Sequence, residues 1–172
     1  LKLAGEVTIR VRLVDCVGFM VEGAAGHLED GAERLVKTPW YDHEIPFTQA
    51  AELGTRKVIT DHSTIGVVVT TDGSFSDLPQ ETYLDAENQA ISELKKLHKP
   101  FLVLVNSSHP SSRTAREAAE RIEKQHSVAA MPVNCAQLSE EDIRQIMEQI
   151  LYEFPVSRVE FYMPKWVEML PF

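Results

Sequence analysis

An acidic residue and a glycine follow a short apolar run near the start of the chain, at a spacing suited to metal and phosphate chemistry. Asp15 comes directly after Leu13 and Val14, and Gly18 lies three residues further on. A carboxylate at a strand tip can hold hydrated Mg²⁺, and a glycine lets a backbone N–H approach a terminal phosphate. We therefore predict Asp15 as a metal-associated catalytic residue and Gly18 as a nucleotide contact. Because this spacing is also common in ordinary turns, the hypothesis depends on further motifs.

Polar residues also end two later apolar runs. The first run, Phe-Leu-Val-Leu-Val, is followed by Asn106 and Ser107. In GTP-binding phosphate-loop proteins this position carries Asn-Lys-x-Asp, whose aspartate recognises guanine; here Ser107 replaces the lysine and His109 replaces the aspartate. The second run is followed by Cys135 and Ala136, similar to the Ser-Ala turn that closes over the base in the same proteins. Three such tips in this order predict a nucleotide site whose further contacts are Asn106, Ser107, Cys135 and Ala136.

The elements that must position these tips alternate along the chain. Runs rich in β-branched residues predict strands at 6–14, 64–71, 101–106 and 128–134, and helical periodicity predicts helices at 46–61, 80–97, 112–125 and 139–154. Strict alternation implies right-handed crossovers and hence a three-layer α/β/α fold with a mainly parallel sheet. Ligands bind such sheets at the carboxyl ends of the strands. Three other segments are also interpreted: 19–45 as a functional loop, 72–74 as a turn on the nucleotide side, and 157–163 as one further strand.

Composition restricts the class of protein. A chain of 172 residues corresponds to one domain, and a net charge of −9 argues against nucleic acid as a partner. No apolar stretch approaches the length of a transmembrane segment, and two cysteines fit a reducing cytoplasm. The six histidines are scattered without metal-ligand spacing. We therefore predict a cytoplasmic protein that binds no nucleic acid.

Several segments carry a closer resemblance, at 12–19, 38–41, 45–59, 62–73 and 151–156. They resemble the stage IV sporulation protein A family, the spore-coat morphogenetic ATPases of endospore-forming bacteria. The resemblance implies a P-loop NTPase fold, related to the GTPase class, that uses ATP and Mg²⁺. It also implies self-association into a polymer around the forespore in the mother-cell cytoplasm, as the base layer for spore coat assembly. Implied partners are a small forespore membrane-anchoring protein and other spore coat proteins.

The chain departs from the family pattern at the phosphate loop. No Gly-x-x-x-x-Gly-Lys-Ser/Thr occurs in the 172 residues. We expect that segment to precede Leu1, so that 1–154 is the C-terminal part of a P-loop ATPase domain and 155–172 is a strand and the start of a following middle domain. Since the phosphate-cradling N–H groups and the lysine would be missing, we expect little triphosphate binding or activity from these residues alone.

Two alternatives remain open. Phe19 occupies the position at which many GTPases carry the glutamine that orients the attacking water, so the domain could be a nucleotide-gated self-association module with little or no hydrolysis. A genuine GTPase is disfavoured by Ser107 and His109, because the acidic residue that recognises guanine is missing.

Overall fold

A computed structural model describes residues 8–29 and 31–155. The long segment predicted as a functional loop contains four two-residue strands, which pair as two small antiparallel ribbons. They are β1 (Leu28–Glu29), β2 (Ala32–Glu33), β3 (Leu35–Val36) and β4 (Ile45–Pro46). The last of them leads directly into the first helix.

Three parallel strands form the central sheet. In the order β5-β6-β7 they are β5 (Gly66–Thr71), β6 (Phe101–Asn106) and β7 (Ala130–Val133). The register pairs Thr71 with Asn106 and Asn106 with Val133, so the three carboxyl ends are aligned in one row. The predicted parallel sheet is confirmed, and its carboxyl edge is where the polar tips meet.

Four α-helices lie in the part of the chain that the structure describes, and all four predicted helices are confirmed. Two are preceded by serine N-caps: the side chain of Ser112 accepts the N–H of Ala115, and Ser139 forms a capping box with Asp142. The helices are α1 (Phe47–Lys57), which continues as a π-helix (Val58–His62); α2 (Leu84–Lys96), which follows a 3₁₀ turn (Gln80–Tyr83); α3 (Arg113–His126); and α4 (Glu140–Tyr152).

The helices lie on both faces of the sheet, which confirms the three-layer arrangement. Since side chains alternate along a strand, Val103 and Val105 point to one face and Leu102 and Leu104 to the other. The first face packs against α2 and α3, through residues that include Ile91, Leu94, Ala118, Ala119 and Ile122. The second packs against α4, through Ile146 and Ile150. Helices on both faces leave the carboxyl edge of the sheet open for a site.

The predicted strand at 6–14 is wrong for the part that the structure describes. Thr8 forms an isolated bridge, and 9–18 have no regular secondary structure. Leu13 is 87% exposed, and Val14 is also exposed. A strand forms only by pairing with a neighbour at hydrogen-bonding distance, and at the end of this segment Val14 lines a cavity together with residues of β5 instead of pairing with them. The strand predicted at 157–163 lies outside the described residues.

Candidate functional site

Asp72 joins the carboxyl ends of β5 and β6. Its N–H donates to the carbonyl of Asn106 at 3.4 Å, and its Oδ2 accepts from the hydroxyl of Ser107 at 2.6 Å. Its Oδ1 accepts both the N–H and the hydroxyl of Ser74, at 3.0 and 2.6 Å. Burial acts to raise the pKa of Asp72, but the hydrogen bonds from Ser107 and Ser74 outweigh it and hold the pKa below its ordinary value. The carboxylate is therefore an ionised acceptor near neutral pH.

The turn after β6 is held by the same group of residues. Ser107 is fully buried, and its Oγ accepts the N–H of His109 at 3.1 Å. The N–H of Ser108 donates to Ser74 Oγ at 2.8 Å, and Ser108 Oγ lies 2.9 Å from His109 Nδ1. His109 itself is exposed. The turn therefore presents an imidazole whose Nδ1 side is held by a neighbouring hydroxyl.

A second set of hydrogen bonds joins β6 to the turn after β7. Asn106 Oδ1 accepts the N–H of Cys135 at 3.0 Å, and the N–H of Ser107 donates to the carbonyl of Val133 at 2.8 Å. Asn134 Oδ1 accepts the N–H of Ala136 at 3.0 Å. We call the group formed by Asp72, Ser74, 106–109 and 134–136 the strand-tip network. It brings together the four residues predicted as base contacts: Asn106, Ser107, Cys135 and Ala136.

The thiol of Cys135 is a poor nucleophile in this setting. Burial raises its pKa, so the protonated form dominates at neutral pH. The residue therefore contributes its backbone N–H and the shape of the turn rather than reactive sulfur.

Asp15 and Gly18 lie in a different place. Asp15 is exposed, and its Oδ1 accepts the N–H of Cys16 at 2.9 Å. Gly18 has a φ of +86°, which a residue with a side chain rarely adopts. Its N–H donates to Thr55 Oγ1 at 3.0 Å, and its carbonyl accepts from the same hydroxyl at 3.1 Å. The amide predicted to approach a phosphate thus already has an acceptor in a buried threonine.

A cavity of about 400 Å³ lies between this segment and the outer edge of β5, which pairs with no other strand of the described residues. Residues 14–19 line one side, and Val67 and Val69 are among the β5 residues that line the other. These two valines are 42% and 59% exposed, although they belong to the central sheet. The strand-tip network contributes no lining residue. The structure therefore places Asp15 and Gly18 beside β5, and it does not join them to the predicted base contacts.

Glu87, which lines this cavity, belongs to an ion pair. Glu87 on α2 is 4% exposed, and its Oε1 lies 2.8 Å from a guanidinium nitrogen of Arg121 on α3. Thr70 on β5 donates its hydroxyl to Glu87 Oε2 at 2.8 Å. The contacts tie two helices to the edge strand, and the burial of the carboxylate makes the pairing a requirement of the fold.

Sequence reasoning missed three residues that organise these places: Thr55, Asp72 and Glu87. The predicted turn at 72–74 is confirmed, but the prediction did not identify the carboxylate of Asp72 as a link between strands. The partners of Thr55 and Glu87 lie 37 and 34 residues away in sequence, so no local pattern indicates them.

The side chains able to coordinate a metal ion fit Mg²⁺ only if other ligands complete its coordination. Within 8–29 and 31–155 there is no group of three or more His, Cys, Asp or Glu side chains able to hold a metal ion. Mg²⁺ commonly takes one or two carboxylates together with water and substrate phosphates. The exposed carboxylate of Asp15 fits that mode, in which the nucleotide completes the coordination. In the same part of the chain, no helix combines the length and apolar character needed to cross a membrane.

Comparison with known proteins assigns the chain to a protein family. The sequence matches the family described as stage IV sporulation protein A, ATPase domain, over residues 1–155. It is 46% identical over 170 residues to stage IV sporulation protein A of Clostridioides difficile (strain 630), covering 99% of this chain and 35% of that protein. The protein of the same name from Bacillus subtilis (strain 168) is 41% identical over 162 residues, covering 94% of this chain and 33% of that protein. The chain thus spans about a third of the length of these curated relatives. No solved structure matches it significantly.

Proposed function

The chain belongs to the stage IV sporulation protein A ATPase-domain family, and from this premise we propose that it binds and hydrolyses ATP as part of a larger protein. The strand-tip network holds the base, and Asp15 carries the metal. The family supports the reaction, and the arrangement of the sheet supports the place where the nucleotide lies.

One observation carries the proposal: the turns after β6 and β7 lie side by side at the carboxyl edge of a parallel sheet. The link from Asn106 Oδ1 to the N–H of Cys135 holds them together. Ligands of open α/β sheets bind at this edge. We place the adenine between the turn at 107–109 and Ala136.

Histidine at position 109 favours adenine over guanine. The guanine edge offers two adjacent N–H donors, which a carboxylate accepts as a pair. The adenine edge offers one acceptor and one donor, and a neutral imidazole nitrogen can be matched to either. An exposed His109 held by Ser108 is suited to the second pattern.

The cavity beside β5 is the place for the phosphates and for the segment that binds them. Val67 and Val69 are exposed there, and Asp15 lines the opposite wall. A phosphate-binding strand and loop from outside the described residues would cover these valines and bring phosphates toward Asp15. When bound, Mg²⁺ would neutralise phosphate charge, and Asp15 would orient it through a coordinated water.

Phe19 cannot orient an attacking water, because its side chain has no hydrogen-bonding group. It packs against the core cluster formed by β5, β6, α2 and α3, where it anchors the segment after Gly18. We therefore assign water positioning to another group: an upstream threonine, a backbone group or the segment at 19–45. This observation also favours the second candidate, a self-association module in which nucleotide sets the shape and hydrolysis is slow or lost.

The wider role follows from the family. We propose that the whole protein polymerises around the forespore as the base layer of the spore coat, together with a small membrane-anchoring protein and other coat proteins. These partners are inferred from the family alone.

The test uses the full-length protein. Competition between ATP and GTP for one site, with Mg²⁺ present, should favour ATP, and phosphate release should accompany it. A preference for GTP would contradict the role given to His109. ATP binding with no turnover, together with assembly that a non-hydrolysable ATP analogue supports equally well, would favour the self-association module instead.

A further inference from the structure

We propose that Asp72 is a positioning residue for base selection: its carboxylate fixes the turn at 107–109 and thereby sets where His109 meets the nucleotide base. This inference rests on the proposed function, because it concerns the same site. Asp72 is not assigned a contact with the nucleotide.

The first branch of hydrogen bonds from Asp72 runs through Ser107. An ionised carboxylate only accepts hydrogen bonds, so the hydroxyl proton of Ser107 must point toward Asp72 Oδ2, 2.6 Å away. The lone pairs of Ser107 Oγ are then free to accept the N–H of His109 at 3.1 Å. Because Ser107 is fully buried, no water competes for these bonds. The direction of every proton in this branch follows from the charge on Asp72.

The second branch runs through Ser74. Its hydroxyl donates to Asp72 Oδ1 at 2.6 Å, and its oxygen accepts the N–H of Ser108 at 2.8 Å. Two successive amides of the turn, at 108 and 109, are thus held by hydroxyls that one carboxylate orients. Charge-assisted bonds of this length are stronger than neutral ones. The backbone that carries the imidazole is therefore fixed from two sides.

Replacing the carboxylate by an amide breaks this arrangement at little cost in volume. In Asp72→Asn only one side-chain oxygen remains, and the other position becomes an N–H donor. If the oxygen keeps Ser74, the amide nitrogen faces Ser107 and the hydroxyl proton of Ser107 loses its acceptor in a buried place. The turn then has reason to move, and His109 moves with it.

The experiment compares binding of three competitors to the full-length protein, each displacing a fluorescent ATP analogue: ATP, GTP and inorganic tripolyphosphate. Tripolyphosphate carries no base, so it reports only on the phosphate site. In Asp72→Asn we expect ATP to bind about tenfold more weakly, with the preference for ATP over GTP reduced. Tripolyphosphate affinity should stay within about twofold of wild type.

Two further variants keep the result interpretable. Asp77→Asn removes an exposed carboxylate from the same loop, whose side chain has no hydrogen bond or ion pair to any residue of 8–29 and 31–155, and should leave all three affinities unchanged. Ser74→Ala removes only the exposed branch of hydrogen bonds, which runs through Ser74. This variant should fold normally and bind ATP about threefold more weakly. It therefore tests the network even if Asp72→Asn fails to fold.

The outcomes separate this inference from the proposed function. Wild-type protein that binds tripolyphosphate but shows no added affinity for ATP would refute the proposed base site, and the role of Asp72 with it. Wild-type ATP selectivity that survives unchanged in Asp72→Asn and Ser74→Ala would refute the role of Asp72 alone. An equal loss of tripolyphosphate and ATP binding would also overturn it, because the effect would not depend on the base.

Discussion

Two parts of the central sheet differ in how completely this chain builds them. We call the carboxyl ends of the strands, which the strand-tip network joins, the closed side, and the lateral edge of β5 beside the cavity the open side. Around β6 and β7, the strand-tip network pairs polar groups of three successive loops with one another. Beside β5, by contrast, a cavity of about 400 Å³ separates the edge strand from residues 14–19, and Val69 is 59% exposed.

The difference shows which part of the proposed nucleotide site is preorganised. Hydrogen-bonded turns on rigid strands hold their geometry before a ligand arrives, which lowers the cost of binding. An apolar strand edge facing a cavity has lost the packing contacts that stabilise interiors. We therefore expect the base side to tolerate few changes, and the phosphate side to depend on contacts from outside the described residues.

The largest expected effect concerns the role of the open side in catalysis. In the full-length protein, Asp15→Asn should lower Mg²⁺-dependent ATP turnover about 100-fold, because the metal loses its carboxylate. ATP binding without Mg²⁺ should change little. Steady-state phosphate release measures the effect, and Asp42→Asn, an exposed carboxylate in the 19–45 segment, is the control. Unchanged turnover in Asp15→Asn would remove Asp15 from the mechanism.

The stability of the fold should depend strongly on the ion pair between Glu87 and Arg121 beside the cavity. Arg121→Ala leaves the carboxylate of Glu87 buried without its partner, which should lower the free energy of unfolding by about 3 kcal/mol. Urea denaturation measures it. Arg113→Ala on the same helix breaks the exposed pair with Glu117 and should have no measurable effect. Equal effects in the two variants would show that burial of Glu87 does not decide the effect on stability.

The attachment of the open side to the core can be weakened selectively. Thr55→Val keeps the shape of the side chain but removes both hydrogen bonds to Gly18, at a cost of about 1–2 kcal/mol in the free energy of unfolding. Limited proteolysis should then cut near residue 18 faster. Thr60→Val, at an exposed position of the π-helix, is the matched control. Cleavage that is no faster than in the control would mean that other contacts hold the segment.

The smallest effect is the pH dependence that Asp72 gives to the closed side. Its pKa is lowered in the folded protein, so its contribution to stability is present above the ordinary value of 3.8 and is lost as the pH falls through the folded value. The difference in unfolding free energy between wild type and Asp72→Asn should therefore shrink as the pH falls below about 4. A constant difference from pH 7 to pH 3 would contradict the ionised state of Asp72 in the network.

Most of the fold could be predicted because its determinants are local. Apolar residues at helical spacing and the serines at 112 and 139 indicated the helices, and the run Phe101–Asn106 indicated the central strand. The same reasoning correctly placed Asn106 and Cys135 at neighbouring strand ends, because parallel strands end at one edge. It failed at 8–14, where the sequence is apolar and alternating but only Thr8 forms a bridge and 9–14 have no regular secondary structure.

The site was only partly predictable for a related reason. Asp15, Gly18 and the proposed base contacts were predicted from residue types and spacings that act within a few residues. The groups that orient them were not, because Thr55 and Asp72 act on residues 37 and 35 positions away in sequence. Nothing in the local sequence of Asp72-Gly73-Ser74 distinguishes a plain turn from one that binds the next strand's loop.

By itself, the amino-acid sequence determined the four helices, the three parallel strands and the family, since periodicity, capping and residue motifs are carried by neighbours along the chain. Only the tertiary structure decided that hydrogen bonds join the carboxyl ends of the strands, whereas the lateral edge of β5 faces a cavity. A hydrogen bond or a strand pairing forms only when its partner is brought within a few ångströms. Asp72 is brought to its partners in this way, whereas the alternating sequence at 9–14 is not built into a strand.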